Sequence, residues 1–336
     1  MYTDEDLYSA VKAGVLDENS VNLFRKFIES SSNTQSVDEE NFRLISGFND
    51  IFVAIASLLF LVSSGWLSSL VSKPLGFLVA ALISWFLSVY FVLKRKLALP
   101  AILFLGAYVV GIFGLSVALL KEYRVNDEIS IVLACAAATL MTLLHWFKFK
   151  VPITVAAGVG CLSGFIISVF VIQFPELKGY VNSVIAACGV MSFLVAMYWD
   201  AQDTERKSRK SDVAFWLHLI ASPLIVHPVF SLLGVKDGSA SASAVAIVVF
   251  MYLVLAIVSL AIDRRALMVS ALVYVIYAFS ELFKSYGAVS NGFAISGVFI
   301  GAMLIFLSAA WHSVRSNVLK LIPAGVKKYL PVPSNA

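Results

Sequence analysis

The sequence predicts an all-α polytopic membrane helix bundle of about ten transmembrane helices, with a small N-terminal cytoplasmic helical pair. Three observations carry that expectation. Of 336 residues, 60% are hydrophobic and 14% charged, against about 25% charged in soluble domains, and the mean hydropathy is +0.89. Apolar runs of about 20 residues, each long enough to cross a hydrocarbon core of about 30 Å as a helix, recur from Gly47 to Trp311. The runs are continuous, whereas the strands of a membrane barrel alternate, so they predict helices.

Residues 1–30 read as the helical pair. In "TDEDLYSAVKAGVLDENSVNLFRKFIES", Thr3 and Asp6 form a candidate capping pair, Leu7 and Val11 share a face, and Gly14 ends the first helix. Asp17 caps the second, which carries Val21, Phe24 and Ile28 on one face. So small a pair buries little core alone, so it is expected to dock on the membrane body, on a cytoplasmic protein, or on a second copy. Residues 31–46 follow as a polar linker, "SSSNTQS", and a lead-in helix with Ser36 and Glu39 spaced as a capping box. The acidic opening lacks the basic start and short apolar core of a signal peptide.

Residues 47–312 hold ten expected spans, near 47–71, 75–93, 98–120, 128–147, 152–174, 179–199, 213–234, 240–262, 266–283 and 291–311. With ten spans, 19 of the 25 lysines and arginines fall on the side of both termini and 6 on the other, which predicts cytoplasmic termini. Residues 313–336 form a basic tail with Val314, Val318 and Leu321 on one helical face beside Arg315 and Lys320, stopped by Pro323 and suited to an anionic lipid surface.

Candidate site residues are the polar groups inside the spans. The seventh span, "FWLHLIASPLIVHPVF", contains His218, Ser222, Pro223, His227 and Pro228. At about 100° per residue, two histidines nine positions apart point to opposite faces, about 13 Å apart along the axis. They cannot share a metal ion on a regular helix. Each proline removes an amide donor and crowds the carbonyl four residues back, which predicts a bend that frees the Leu219 and Leu224 carbonyls, one of which Ser222 could satisfy. In the ninth span Ser270, Tyr274, Tyr277 and Glu281 share one face. Asp50 opens the first span, where it can cap the helix or pair with a basic loop residue. His145 with Trp146, and Trp311 with His312, fall at span ends, where such side chains form an interfacial belt. Small residues every four positions, Ala156, Gly160 and Gly164 and again Gly297 and Gly301, predict close helix contacts or an oligomer face.

Several chemistries lack their motifs. The chain has no His-Glu-x-x-His, no rhomboid-type Gly-x-Ser-Gly and no phosphate loop. Cys135, Cys161 and Cys188 lie in spans and read as small packing residues rather than disulfides or metal ligands. No cofactor, metal or nucleic acid is expected, and the lipid bilayer is the expected partner.

The helical pair with its "AGVLDENSVNLFRKF" pattern, the "FWLHLIASPLIVHPVF" span, "DRRALMVSALVYVIYA" and the closing "LSAAWHSVR…LKLIP…YLPVP" resemble a group of proteobacterial multi-pass membrane proteins. That group is similar to a bacterial membrane family of unknown function that begins with such a pair. The resemblance implies a topology and a place in the bacterial inner membrane, and it carries no functional residue. The leading functional expectation is a small-solute transporter or permease working around spans seven and nine. The alternatives are a non-catalytic scaffold or regulatory subunit acting through the helical pair, and an enzyme or translocase for lipid-linked substrates.

The topology is directly testable. Reporter fusions after Lys96, Lys150 and Lys210 should report the cytoplasm, and fusions after Arg124, Lys178 and Lys236 the far side. Two or more reversed sites would break the ten-span arrangement.

Overall fold

Continuous apolar runs fold as helices in a bilayer because every backbone amide then finds its partner within its own segment. The computed structural model describes residues 7, 10–31, 48–204, 206, 208–233, 242–285, 292–327 and 330–331. No strand occurs among them. The chain divides into two compact units, Met1–Asn41 and Phe42–Ala336.

In the first unit, α1 (Glu18–Ser31) starts after Asp17, whose carboxylate accepts from the Ser20 amide at 3.1 Å. Hydrogen bonds from Ser20, its side chain first and then its amide, hold Asp17 below the usual carboxylate range. Val21 is buried, while Val15 and Leu23 stay exposed.

The second unit is the membrane body. Its helices are α2 (Phe48–Ser69), α3 (Lys73–Ser88, continued by a π-helical turn Val89–Lys94), α4 (Ala98–Glu122), α5 (Asp127–Phe149) and α6 (Ile153–Gln173). A 3₁₀ turn at Pro175–Tyr180 leads into α7 (Val181–Asp200), followed by α8 (Arg209–Leu232), α9 (Ala242–Ile262), α10 (Ala266–Ser285) and α11 (Gly292–Ala309). Two short helices close the chain, α12 (Trp311–Leu321) and α13 (Ala324–Lys327). The helices α2 to α11 fall on the ten expected apolar runs, but by length and composition eight of them among the described residues, α2 to α9, can cross a membrane, or nine if α11 and α12 together make one bent span. Ala266–Ser280 of α10 is a shorter apolar helix.

Helix ends follow local chemistry. Ser72, Asn126 and Ser208 cap α3, α5 and α8 by accepting from the amides of Leu75, Glu128 and Lys210. Lys96, Arg124 and Lys150, left-handed with φ of 54° to 55°, sit just past the ends of α3, α4 and α5. Their cations lie where the helix dipole favours positive charge.

The last apolar run and the tail form two helices, as expected, meeting at a sharp corner: α11 stops at Ala309 and α12 leaves it at 76°. Two bonds hold this corner. Trp311 donates its indole N–H to Asp263 at 2.7 Å, and Arg315 donates to the Pro331 carbonyl at 2.8 Å. Trp311 and Arg315 are both buried, so neither serves as a belt or lipid-surface residue; Leu321 and Lys320 remain exposed. His145 is buried too. Its Nδ1 lies 3.2 Å from the Thr154 hydroxyl, and its ring packs among Trp85, Tyr108 and Phe149.

α8 is the central helix: half of its spanning window is buried inside the protein, against 11% for α6. It runs as one helix through Pro223 and Pro228. α7 packs so closely on it at Gly189 that a Cβ there would come within 2.8 Å of the Leu224 carbonyl carbon. Gly160 faces Ile220 of α8, and Gly164 faces Cys135 of α5. Around Gly297 and Gly301 a Cβ would meet nothing within 4 Å among the described residues.

Gly189→Ala must therefore push against backbone, a conflict costing about 1–3 kcal/mol. Thermal unfolding in detergent should show Gly189→Ala melting several degrees below wild type and Gly297→Ala melting with it. Equal melting of the two variants would contradict the α7–α8 contact.

Candidate functional site

The site is built on the way α9 ends. Asp263 adopts φ 55°, and the amide of Arg264 reaches back to the Ser259 carbonyl at 2.9 Å, the six-to-one bond of a Schellman ending. Glycine usually takes the left-handed position because a side chain there costs about 1–2 kcal/mol. Aspartate stands here, and its carboxylate is used. Oδ1 accepts from Trp311 at 2.7 Å and faces Arg315 at 3.6 Å, and Oδ2 accepts from Arg206 at 3.4 Å. Arg206 also donates to the Ile262 and Asp263 carbonyls at 2.9 and 2.7 Å, covering the open end of α9.

The same turn aims Arg264 the other way, into the bundle, where it is 1% exposed. Its guanidinium donates to both carboxylate oxygens of Asp200, the last residue of α7. It also donates to the carbonyl and hydroxyl of Ser211 in α8, at 3.0 and 2.8 Å. A carboxylate at a helix C-terminus opposes the dipole, and Asp200 is 3% exposed. A second group therefore matters: His218 of α8 places Nε2 at 2.9 Å from Asp200 Oδ2.

A carboxylate only accepts, so Nε2 carries the hydrogen, and in the neutral imidazole Nδ1 is then a bare acceptor. Nδ1 is buried with no partner among the described residues. One turn on, the Ser222 hydroxyl is buried and unpartnered as well, so it does not bond the carbonyls that the prolines release. Phe193 of α7 packs edge-on against the imidazole at 5.3 Å between ring centres.

The other sequence-derived residues lie elsewhere. His227 is on the opposite side of α8, its Nδ1 3.4 Å from the Tyr274 hydroxyl. Tyr274 and Tyr277 both pack edge-on against Phe230, making an aromatic seam between α8 and α10. Asp50 is buried in the first turn of α2. The side chains of Glu281 and Ser270 lie outside the described residues. Among the described residues, no group of three or more His, Cys, Asp or Glu side chains could hold a metal ion.

Sequence reasoning missed Asp200, Ser211, Asp263 and Arg264. Asp200 looked like the edge of a span, and Arg206, Arg264 and Arg315 counted as solvated loop cations. The available signal was an aspartate closing an apolar run, followed by "DRR" in a turn too short to solvate three charges.

Removing one partner of a buried pair strands the other charge, at a cost of about 3–5 kcal/mol, whereas replacing both by apolar residues is often neutral. Arg264→Met should therefore destabilise the protein severely, and Asp200→Leu combined with Arg264→Met should recover most of the loss. A double variant as unstable as the single one, by thermal unfolding in detergent, would exclude this pairing. No known family, no curated protein and no solved structure matches the chain, so its chemistry is read from Asp200, His218 and Arg264 themselves.

Proposed function

We propose that the protein is a proton-responsive permease for a small solute, in a bacterial cytoplasmic membrane with both termini in the cytoplasm. The observation that carries this reading is the buried Asp200–His218–Arg264 centre joining α7, α8 and the α9–α10 turn, with His218 Nδ1 lacking a partner among the described residues. Ionisable groups inside membrane bundles are costly and mark proton or ion routes. The charge asymmetry supports the orientation: Arg206, Arg264 and Arg315 are buried, and the excess of cations on the terminal side survives their removal.

In this reading Asp200 is shared between two cations whose balance a proton changes. With His218 neutral, Arg264 holds both carboxylate oxygens. A proton on Nδ1 makes His218 an imidazolium, which competes with Arg264 for Asp200. The groups facing this exchange are Asp200 on α7, Ser211 and the partly exposed Asp212 on α8, and Arg206 and Arg264 from the two turns. A loosened Arg264 frees the α9–α10 turn, and with it α10, whose Tyr274 and Tyr277 face α8. The solute then passes between α8 and α10 as the turn moves.

Hydrogen–deuterium exchange tests the switch before any solute is known. Corrected for intrinsic rates, amides 262–267 should exchange several-fold faster at pH 4.5 than at pH 8.0 in the wild type. In His218→Gln, which keeps a hydrogen bond to Asp200 but binds no proton, the two rates should be equal. In proteoliposomes loaded with a pH-sensitive dye, the same variant should lose solute-dependent proton uptake. A wild-type turn indifferent to pH would remove the proton switch.

A further inference from the structure

Away from the buried centre, an apolar groove of about 560 Å³ runs between α2, α3 and α4. α3 forms its floor with Gly76, Phe77 and Ala80, none of them exposed, and its rim on α2 and α4 includes Val62, Trp66 and Val110, each at least 59% exposed. Glycines close the base. A Cβ on Gly76 would come 2.7 Å from the Gly65 carbonyl oxygen of α2, and one on Gly111 of α4 would come 2.9 Å from the Ala81 side chain of α3. Gly106 of α4 is different: it lines the groove, yet a Cβ there would meet nothing within 4 Å among the described residues. Glycine weakens a helix interior relative to alanine, and no close packing among the described residues requires it at this position. Its missing side chain leaves the groove open.

Size decides what fills that room. The α2 wall runs from Leu58 to Ser69, about 16 Å at about 1.5 Å per residue, or roughly one leaflet of a hydrocarbon core about 30 Å thick. A helix about 10 Å across needs about 1,200 Å³ over that length, roughly twice the groove, so a helix of a second copy does not seat in it. A methylene takes about the 30 Å³ of a water, so the groove holds one hydrocarbon chain of about 18 carbons. α2, α3 and α4 are each long and apolar enough to cross a membrane, so the rim faces lipid and a chain enters sideways from the bilayer. Charge marks one end. Ser69 and Lys73 line the groove at the α2–α3 turn, with no carboxylate beside them. The Ser69 hydroxyl donates to the Trp66 carbonyl, whereas Lys73 has no hydrogen-bond or ion-pair partner among the described residues. Lys73 opens α3, where the helix dipole also favours negative charge.

We infer that this groove holds one acyl chain of an anionic phospholipid, the chain along α3 and the headgroup outside the groove at Lys73. Apolar contact supplies the grip, and Lys73 supplies the preference among headgroups. The site is separate from the Asp200–His218–Arg264 centre and independent of proton chemistry there.

The test uses the full-length protein in dioleoyl phosphatidylcholine vesicles containing a trace of phosphatidylglycerol with a photoactivatable diazirine midway along one acyl chain. Adducts are mapped by peptide mass spectrometry and should concentrate on residues 58–69 and 103–111. Gly106→Phe, which fills the groove, should lower them about tenfold, with Gly106→Leu as the milder form should that variant fail to insert. Gly297→Phe, at an equally open glycine of α11, should leave them unchanged. The same probe with a choline headgroup should label the groove about fivefold less in the wild type, and as well as the glycerol probe in Lys73→Gln. Adducts spread evenly over the exposed faces of α2 to α11, or unaffected by Gly106→Phe, would overturn the site. Equal labelling by the two probes in the wild type would overturn its assignment to an anionic lipid. A wild-type dimer that Gly106→Phe dissociates would give the groove to a second copy and overturn the lipid as its occupant.

Discussion

The structure depends on one constraint: a guanidinium inside an apolar bundle must be met by a carboxylate and by further acceptors at once. Arg264 meets it with both oxygens of Asp200 and two of Ser211. Because desolvating either charge alone costs several kcal/mol, α7, α8 and the α9–α10 turn are fixed in one relative arrangement. The Gly189 contact brings α7 within backbone distance of α8 farther along. Between them, the ion pair and the glycine set the register of the most buried helix.

Asp263 extends the constraint outward. Its left-handed backbone turns the chain so that Arg264 points inward while its own carboxylate points toward Arg206, Trp311 and Arg315. Glycine would relax the backbone and lose that carboxylate. The strain is therefore tied to holding α12 at its corner, and a single two-residue step connects the buried centre with the end of the chain.

α8 shows how the two levels of organisation meet. Its prolines remove two amide donors, yet it continues as one helix through both. Its histidines emerge on opposite sides because nine residues turn an α-helix through two and a half turns. One side meets the carboxylate of α7, the other the tyrosine of α10. The bare Nδ1 of His218 and the unpartnered Ser222 hydroxyl are exceptions to the rule that buried polar groups are satisfied. Both fall on this one helix, one turn apart.

Hydropathy determined the class and the positions of the apolar helices, because insertion into a bilayer depends on the composition of each segment taken alone. Local rules also determined the cap at Asp17 and the opposed faces of His218 and His227. Tertiary structure decided which polar groups meet. Asp200 lies 18 residues from His218 and 64 from Arg264, and no periodicity links positions that far apart. The same distance hid the burial of Arg206, Arg264 and Arg315: a cation in a short loop reads as solvated until a second turn packs a carboxylate against it. Trp311 and His145 looked interfacial for the same reason, since a residue's depth along a helix is local, whereas its cover comes from helices that only the fold brings near.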